Sequence, residues 1–151
     1  MPKTLIRHAV QEDFQVLLEI DEASFPRGVA YDANELAYFM SRNGAETIVV
    51  EEDGAIVAFL IMEVHRNRRS ATVVTVDVRE NSRRKGYGSQ LLKRGEEILH
   101  DYGIELYDLQ VDVANCEAIL FYKKHGFNLV RTLRKYYTNG HDAYLMVKEL
   151  M

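Results

Sequence analysis

Two glycines, Gly86 and Gly88, stand where a strand passes into a helix and could bind a phosphate group. Val and Thr dominate the preceding segment, Val74–Val78, which suits a buried strand. After the glycines, apolar residues recur at helical spacing from Leu91 to Ile98. The first amides of such a helix have no intrahelical partners, and a residue without a Cβ lets the backbone approach a ligand closely. The segment therefore predicts an anion-binding turn, most naturally for phosphate.

Two other classes of phosphate loop fit this turn poorly. The dinucleotide fingerprint requires a third small residue where Leu91 stands, and the nucleotide-triphosphatase loop requires Gly-Lys-Ser/Thr. The pattern Arg83-x-x-Gly86-x-Gly88 instead resembles the acetyl-CoA pyrophosphate loop of the GNAT superfamily of N-acyltransferases. A purely structural glycine turn is the alternative, because short glycine patterns recur by chance. The resemblance implies that the cofactor is acetyl-CoA (coenzyme A), bound by Val76, Val78, Arg83, Arg84, Lys85, Gly86, Tyr87, Gly88 and Ser89.

A second signature, Asn115–Phe127, resembles the family's Asn-x-x-Ala-x-x-x-Tyr-x-x-x-Gly-Phe segment. Asn115 suits the N-cap of a helix, and the resemblance implies that it also reaches the cofactor. At the position of Tyr122 the family places a phenol beside the cofactor sulfur. Because a phenol with a pKa of ~10 is protonated at neutral pH, we expect Tyr122 to bind the cofactor and to act as general acid toward the departing thiolate. A half-buried packing tyrosine is the alternative.

The incoming amine must lose a proton before it attacks, and the sequence offers more than one candidate for the group that accepts this proton. In the ribosomal-protein alanine acetyltransferase branch of the family, a Glu commonly occupies the position held here by Gln110, while related Nα-acetyltransferases can place a His there. Gln110 cannot accept the proton, so we expect it to position a water. Asp77 is the first candidate for the carboxylate at the end of such a water chain, because strand alternation sends it to the face opposite Val74 and Val76. Asp112 is the second candidate, and an exposed, solvated carboxylate is the alternative for both.

Two segments resemble the substrate-binding parts of that branch. Phe25 and Pro26 lie where the family carries a Phe-Pro loop, and Tyr136 and Tyr137 begin a segment similar to its closing Tyr-Tyr…Gly-Glu-Asp-Ala hairpin. The resemblance implies that these four residues contact the substrate amino terminus. His141 replaces the family's usual acid. Adjacent aromatic residues in an ordinary hairpin are the alternative.

The elements that must position these residues follow from apolar periodicity and turn residues, which predict the order β-α-α-β-β-β-α-β-α-β-β. The clearest predicted strands are Thr4–His8, Thr47–Glu51, Ala55–Val64, Ile104–Val111, Asn128–Lys135 and Ala143–Lys148. The expected fold class is α/β (α+β), with one domain over residues 1–151 and a mixed sheet covered by helices on both faces. The resemblance implies the GNAT fold, a seven-stranded sheet whose fourth and fifth strands splay around the pantetheine arm of the cofactor.

Composition indicates which partners and which cell compartment to expect. The net charge of −4 over 151 residues predicts no general affinity for nucleic acid or anionic membranes. The longest apolar run, Ile56–Met62, is far shorter than the ~20 residues of a spanning helix. Cys116 is the only cysteine and the amino terminus lacks a signal-like apolar stretch, so we expect a cytoplasmic protein without an internal disulfide. The histidines are not clustered, so no metal site is expected. A monomer and a homodimer both fit the sequence.

These observations predict an acetyl-CoA-dependent N-acetyltransferase in which a primary amine attacks directly in a ternary complex. The expected acceptor is the N-terminal α-amine of a protein or peptide, whose pKa of ~8 is nearer to deprotonation than the ~10.4 of a lysine. A small-molecule acetyltransferase acting on a polyamine, amino acid or aminoglycoside is the enzyme alternative. A non-catalytic acyl-CoA-binding regulatory domain is a further alternative, because Gln110 stands where a Glu is usual.

Overall fold

The computed structural model describes residues 2–150, which form seven strands and four α-helices. In chain order the elements are β1 (Thr4–His8), α1 (Phe14–Ser24), α2 (Ala33–Ser41), β2 (Ala45–Glu52), β3 (Ala55–His65), β4 (Ser70–Val78), α3 (Tyr87–Asp101), β5 (Leu106–Asp112), α4 (Cys116–Lys124), β6 (Asn128–Leu133) and β7 (Ala143–Glu149). This order confirms the prediction. The ends of the predicted domain, residues 1 and 151, lie outside the described residues. Between residues 2 and 150, none of the helices has the length and apolar character needed to cross a bilayer.

The seven strands form one mixed sheet in the order β1-β2-β3-β4-β5-β7-β6. β4 and β5 run parallel, and the other neighbouring strands run antiparallel. Two apolar clusters lie on opposite faces of the sheet. One includes Leu91 of α3 and Tyr122 of α4, and the other includes Leu17 of α1 and Leu36 of α2. Helices therefore cover both faces, as predicted.

β3 is buried along almost its whole length. Residues 56–64 are all buried, because this strand lies inside the sheet and helices cover both of its sides. Its side chains enter both clusters, with Phe59 packing beside α1 and Leu60 beside α3. The apolar run Ile56–Met62 is thus a strand, as predicted, and it forms the centre of the fold.

A β-bulge at Val74 breaks the alternation of side chains along β4. Two consecutive residues of β3 pair with Thr75 and Val73, which leaves Val74 without an opposite residue. Val74 packs with the cluster beside α1, whereas Val76 packs with the cluster beside α3. The prediction that Val74 and Val76 share a face is therefore wrong, because it assumed an unbroken period of two.

β4 and β5 are paired only over a short stretch. Their pairing begins at Ser70 with Leu106 and ends at Val73 with Leu109. Beyond this point β5 continues against β7, and β4 continues against β3. The parallel strands therefore part at the bulge, as the resemblance implied, and a gap opens between the two strand ends.

Candidate active site

The gap between β4 and β5 opens into a cavity of about 950 Å³. Its wall is built from the end of β4, the start of α3, the end of β5, α4 and two loops. All of the residues predicted for the site except Lys85 line this cavity. They are Phe25, Pro26, Val76, Asp77, Val78, Arg83, Arg84, Gly86, Tyr87, Gly88, Ser89, Gln110, Asn115, Tyr122, Tyr136 and Tyr137. The structure thus brings together segments that are far apart in the sequence.

The two glycines at the start of α3 are needed for different structural reasons. Gly86 caps the helix with a φ of 84°, in the left-handed region that glycine adopts at low cost. At Gly88 an added Cβ would lie 3.1 Å from Cζ of Phe121, so glycine allows α3 to approach α4 closely. Gln90 N donates to Gly86 O at 3.0 Å. The amides of residues 87–89 precede this bond and are available to an anion in the cavity.

Side chains of the glycine turn are anchored to neighbouring elements. Arg83 Nε donates to Val78 O at 3.1 Å, which holds this side chain at the end of β4. Lys85 Nζ lies 3.4 Å from Glu52 Oε2, and the Tyr87 hydroxyl donates to the same carboxylate. The Lys85 ammonium therefore points toward β2 and not into the cavity.

Tyr122 lies on α4, and the residues of the predicted signature form the two ends of this helix. Asn115 Oδ1 accepts a hydrogen bond from Ala118 N at 3.1 Å, which confirms Asn115 as the N-cap of α4. Gly126 follows the helix with a φ of 93°. The Tyr122 ring packs edge-on against Phe127, and the residue is 8% exposed. Burial, and then the nearby Asp77 carboxyl, raise the pKa of Tyr122, so its hydroxyl is protonated at neutral pH.

Asp77 is buried, which excludes the exposed alternative for this residue. It is 1% exposed and lines the cavity from β4. Thr75 Oγ1 donates to Asp77 Oδ1, while Oδ2 has no hydrogen-bond partner among the described residues. Burial, followed by the neighbouring Asp21 carboxyl of α1, raises the pKa of Asp77 well above its usual value. Sequence reasoning missed Asp21, although it follows Leu17 by four residues and so lies on the buried face of α1.

Gln110 and Asp112 line the cavity from β5. Gln110 is the first β5 residue beyond the pairing with β4. Asp112 is 6% exposed, so the exposed alternative fails here too. Its Oδ2 lies 2.8 Å from His141 Nδ1, and its Oδ1 accepts from Ala114 N at 2.9 Å. Across residues 2–150, no three His, Cys, Asp or Glu side chains are grouped to hold a metal ion.

Two loops meet beside the cavity. The loop after α1 carries Phe25 and Pro26, and the loop between β6 and β7 carries Tyr136 and Tyr137. Thr138 Oγ1 donates to the carbonyl oxygen of residue 28 at 3.0 Å, which joins the two loops. The two tyrosine rings pack perpendicular to each other, with their centroids 5.0 Å apart. Burial raises the pKa of both hydroxyls, so they are protonated at neutral pH.

Comparison with known proteins finds a matching family model, similar relatives and solved structures of similar fold. A model of the acetyltransferase (GNAT) family matches residues 4–127. The chain is 31% identical over 160 aligned residues to an N-alpha-acetyltransferase of Sulfurisphaera tokodaii, covering 96% of this chain and 92% of the relative. It is 28% identical to the L-amino acid N-acetyltransferase AaaT of Escherichia coli, covering 98% of this chain and 99% of that one. The crystal structure of the ribosomal-protein-S18-alanine N-acetyltransferase from Escherichia coli superposes with a TM-score of 0.86 at 24% identity, covering 97% and 94% of the two chains. This last likeness establishes the fold.

Proposed function

The chain belongs to the acetyltransferase (GNAT) family, and from this membership we propose that it is an Nα-acetyltransferase acting on the amino terminus of a protein or peptide. It is an N-acetyltransferase, and acetyl-CoA is its acetyl donor. The acceptor is inferred chiefly from the contact between the two loops beside the cavity. A cavity bordered by joined aromatic loops suits an extended peptide end, whose α-amine can reach the β4–β5 gap.

The residues of the cavity fit a CoA molecule. The amides at the start of α3 and the guanidinium groups of Arg83 and Arg84 suit the pyrophosphate. The strand edge at Val76 and Val78, which β5 leaves unpaired, suits the amide-containing pantetheine arm. Asn115 extends this wall from the start of α4. Lys85 stays a prediction, because its ammonium would have to leave Glu52 to reach a phosphate.

Tyr122 is proposed as the general acid. When bound, acetyl-CoA supplies an activated thioester, and the departing sulfur needs a proton. The Tyr122 hydroxyl keeps its proton at neutral pH because burial raises its pKa. The hydroxyl can therefore donate that proton to the sulfur as negative charge develops there during collapse of the tetrahedral intermediate. The backbone amides near Val76 and Val78 are proposed to stabilise the oxygen that gains negative charge.

Asp77 is proposed as the base, reached through a water that Gln110 positions. Both residues line the cavity on opposite sides of the β4–β5 gap. Asp77 Oδ2 has no donor among the described residues, so it is free to accept a proton. Both oxygens of Asp112 already have partners, His141 and Ala114 N, which favours Asp77 over the second candidate.

The proposal is tested by thiol release from acetyl-CoA with peptides beginning Ala, Ser or Met. The same peptides with blocked amino termini and one internal lysine test the alternative amine. Tyr122→Phe should abolish most turnover, while Tyr38→Phe, an exposed tyrosine on α2 outside the cavity, should not. Turnover restricted to free peptide termini supports the proposal. Acetylation of the blocked lysine peptides alone would overturn it.

A free amino acid is the second candidate acceptor, because one relative is an L-amino acid N-acetyltransferase. Free amino acids present the same α-amine but add a carboxylate next to it. Comparing Met, Met-amide and a Met-initiated peptide separates the two candidates. A clear preference for the free acid would move the assignment to the second candidate.

A further inference from the structure

Two carboxyls, Asp21 of α1 and Asp77 of β4, are buried together beside the cavity with too few hydrogen-bond donors. Asp21 is 0% exposed and Asp77 is 1% exposed. Tyr31 N donates to Asp21 Oδ2 at 2.7 Å, and Thr75 Oγ1 donates to Asp77 Oδ1. The remaining oxygens, Asp21 Oδ1 and Asp77 Oδ2, are buried and have no partner among the described residues.

The surroundings supply little compensating charge. Arg83 is the cation whose charge favours ionised Asp77. The hydroxyls of Tyr31 and Tyr122 lie within electrostatic reach of Asp77, from the α1–α2 connection and from α4. On β3, the residue that pairs with Asp77 is Phe59, which brings no charge. Two ionised carboxylates in this setting repel each other, so they disfavour the doubly charged state.

One proton shared between Asp21 Oδ1 and Asp77 Oδ2 would remove both the missing hydrogen bonds and the repulsion between two buried charges. It gives each oxygen a hydrogen bond and removes one of the two buried charges. Burial, then the neighbouring Asp21 carboxyl, raise the pKa of Asp77, while Thr75 and Arg83 oppose this rise only in part. Asp77 therefore holds this proton at a pH where an ordinary aspartate has already lost it.

We propose that Asp21 is a positioning residue that makes Asp77 an effective base near neutral pH. This inference rests on the proposed function. When the pair is doubly ionised, the N–H bond of the substrate ammonium breaks and its proton passes through the water to Asp77. There it is shared with Asp21, and it leaves to solvent after turnover. The free amine then forms the C–N bond, and the C–S bond breaks as Tyr122 donates its proton to sulfur. The nitrogen loses its second proton to solvent, Tyr122 regains a proton from solvent, and no electrons are gained or lost.

Asp77 needs Asp21 because a base must bind a proton about as strongly as the group that gives it up. An isolated aspartate with a pKa of ~3.9 is about four orders of magnitude too weak to hold a proton from an α-ammonium of pKa ~8. General bases work best when their pKa lies near the operating pH. Asp21 supplies the like charge that moves Asp77 toward this range, at a position that no solvent reaches.

The test is the pH profile of kcat/KM for a peptide acceptor. In the wild-type protein, activity should rise with pH as the pair loses its shared proton. Asp21→Asn removes the like charge, so the rising limb should move to lower pH by at least about one unit, and the plateau should fall about tenfold or more. Glu22→Gln is the matched control, because Glu22 is an exposed neighbour on the same helix. If Asp21→Asn lowers activity without moving the limb, Asp21 is only structural and the inference is overturned.

A second measurement does not depend on turnover. Carboxyl ¹³C NMR of aspartate-labelled protein should show one resonance that titrates far above the ordinary range in the wild-type protein. That resonance should return toward the ordinary range in Asp21→Asn and disappear in Asp77→Asn. Absence of any high-titrating aspartate in the wild-type protein overturns the inference, even if peptides are acetylated. If one aspartate titrates far above the ordinary range but the protein acetylates no peptide, the buried carboxyl pair is supported and the proposed function is refuted.

Discussion

Replacing Asp77 with asparagine should stabilise the folded protein at neutral and alkaline pH. Burial and the adjacent Asp21 carboxyl raise the pKa of Asp77 in the folded state. A carboxyl of this kind contributes stability that is fully present below its unfolded pKa and is lost as the pH rises through its folded pKa. The Asp77 contribution to the free energy of unfolding therefore declines as the pH rises above about 4. The substitution removes that decline.

The size of the effect follows from the two buried oxygens without donors, Asp21 Oδ1 and Asp77 Oδ2. A buried polar group without a partner costs about 1–3 kcal/mol. In Asp77→Asn, the introduced amide can donate to Asp21 Oδ1, and one buried charge disappears. We therefore expect the free energy of unfolding to rise by about 1–3 kcal/mol above the folded pKa. For a chain of this length, that corresponds to roughly 2–12 °C in Tm.

Urea unfolding followed by circular dichroism, at intervals from about pH 5 to about pH 9, measures this difference. Asp112→Asn is the buried comparison. It should destabilise, because both Asp112 oxygens already have partners. Glu22→Gln should leave stability unchanged at every pH, since that side chain is exposed. The reasoning is refuted if Asp77→Asn gains nothing over the wild-type protein, or if its gain does not grow with pH.

Three further substitutions test separate parts of the site. Tyr122→Phe should lower kcat by about 10²–10⁴-fold with little change in the KM for acetyl-CoA, and an unchanged kcat in steady-state thiol release would exclude it as the acid. Gly86→Ala should lower the free energy of unfolding in urea by about 1–2 kcal/mol, because a φ of 84° strains any residue with a Cβ. No described residue lies within 4 Å of the added Cβ, so a steric clash adds nothing to this cost. The same substitution should also weaken CoA binding measured by calorimetry. His141→Ala should raise the KM for the peptide more than the KM for acetyl-CoA, because the loop loses its tie to Asp112; equal increases would contradict this role.

The sequence alone determined the features that local spacing encodes. The glycines at 86 and 88, the cap at Asn115 and the glycine at 126 act within a few residues of themselves, so their pattern predicted α3, α4 and the anion-binding turn. Period-two and period-3.6 patterns likewise predicted the order of the strands and helices. Asn115 and Tyr122 were predicted for the site because their helix has a specific signature, and both residues line the cavity.

The tertiary structure decided what depends on contacts between distant segments. The bulge at Val74 is a mismatch between two strands, and it moved this side chain to the opposite face from the one predicted. Lys85 faces Glu52, which lies thirty-three residues earlier in the chain. Asp21 and Asp77 became a pair only when α1 packed on β4. Their shared proton, and any chemistry that follows from it, comes from the loss of water around both carboxyls, and no local pattern of residues records that loss.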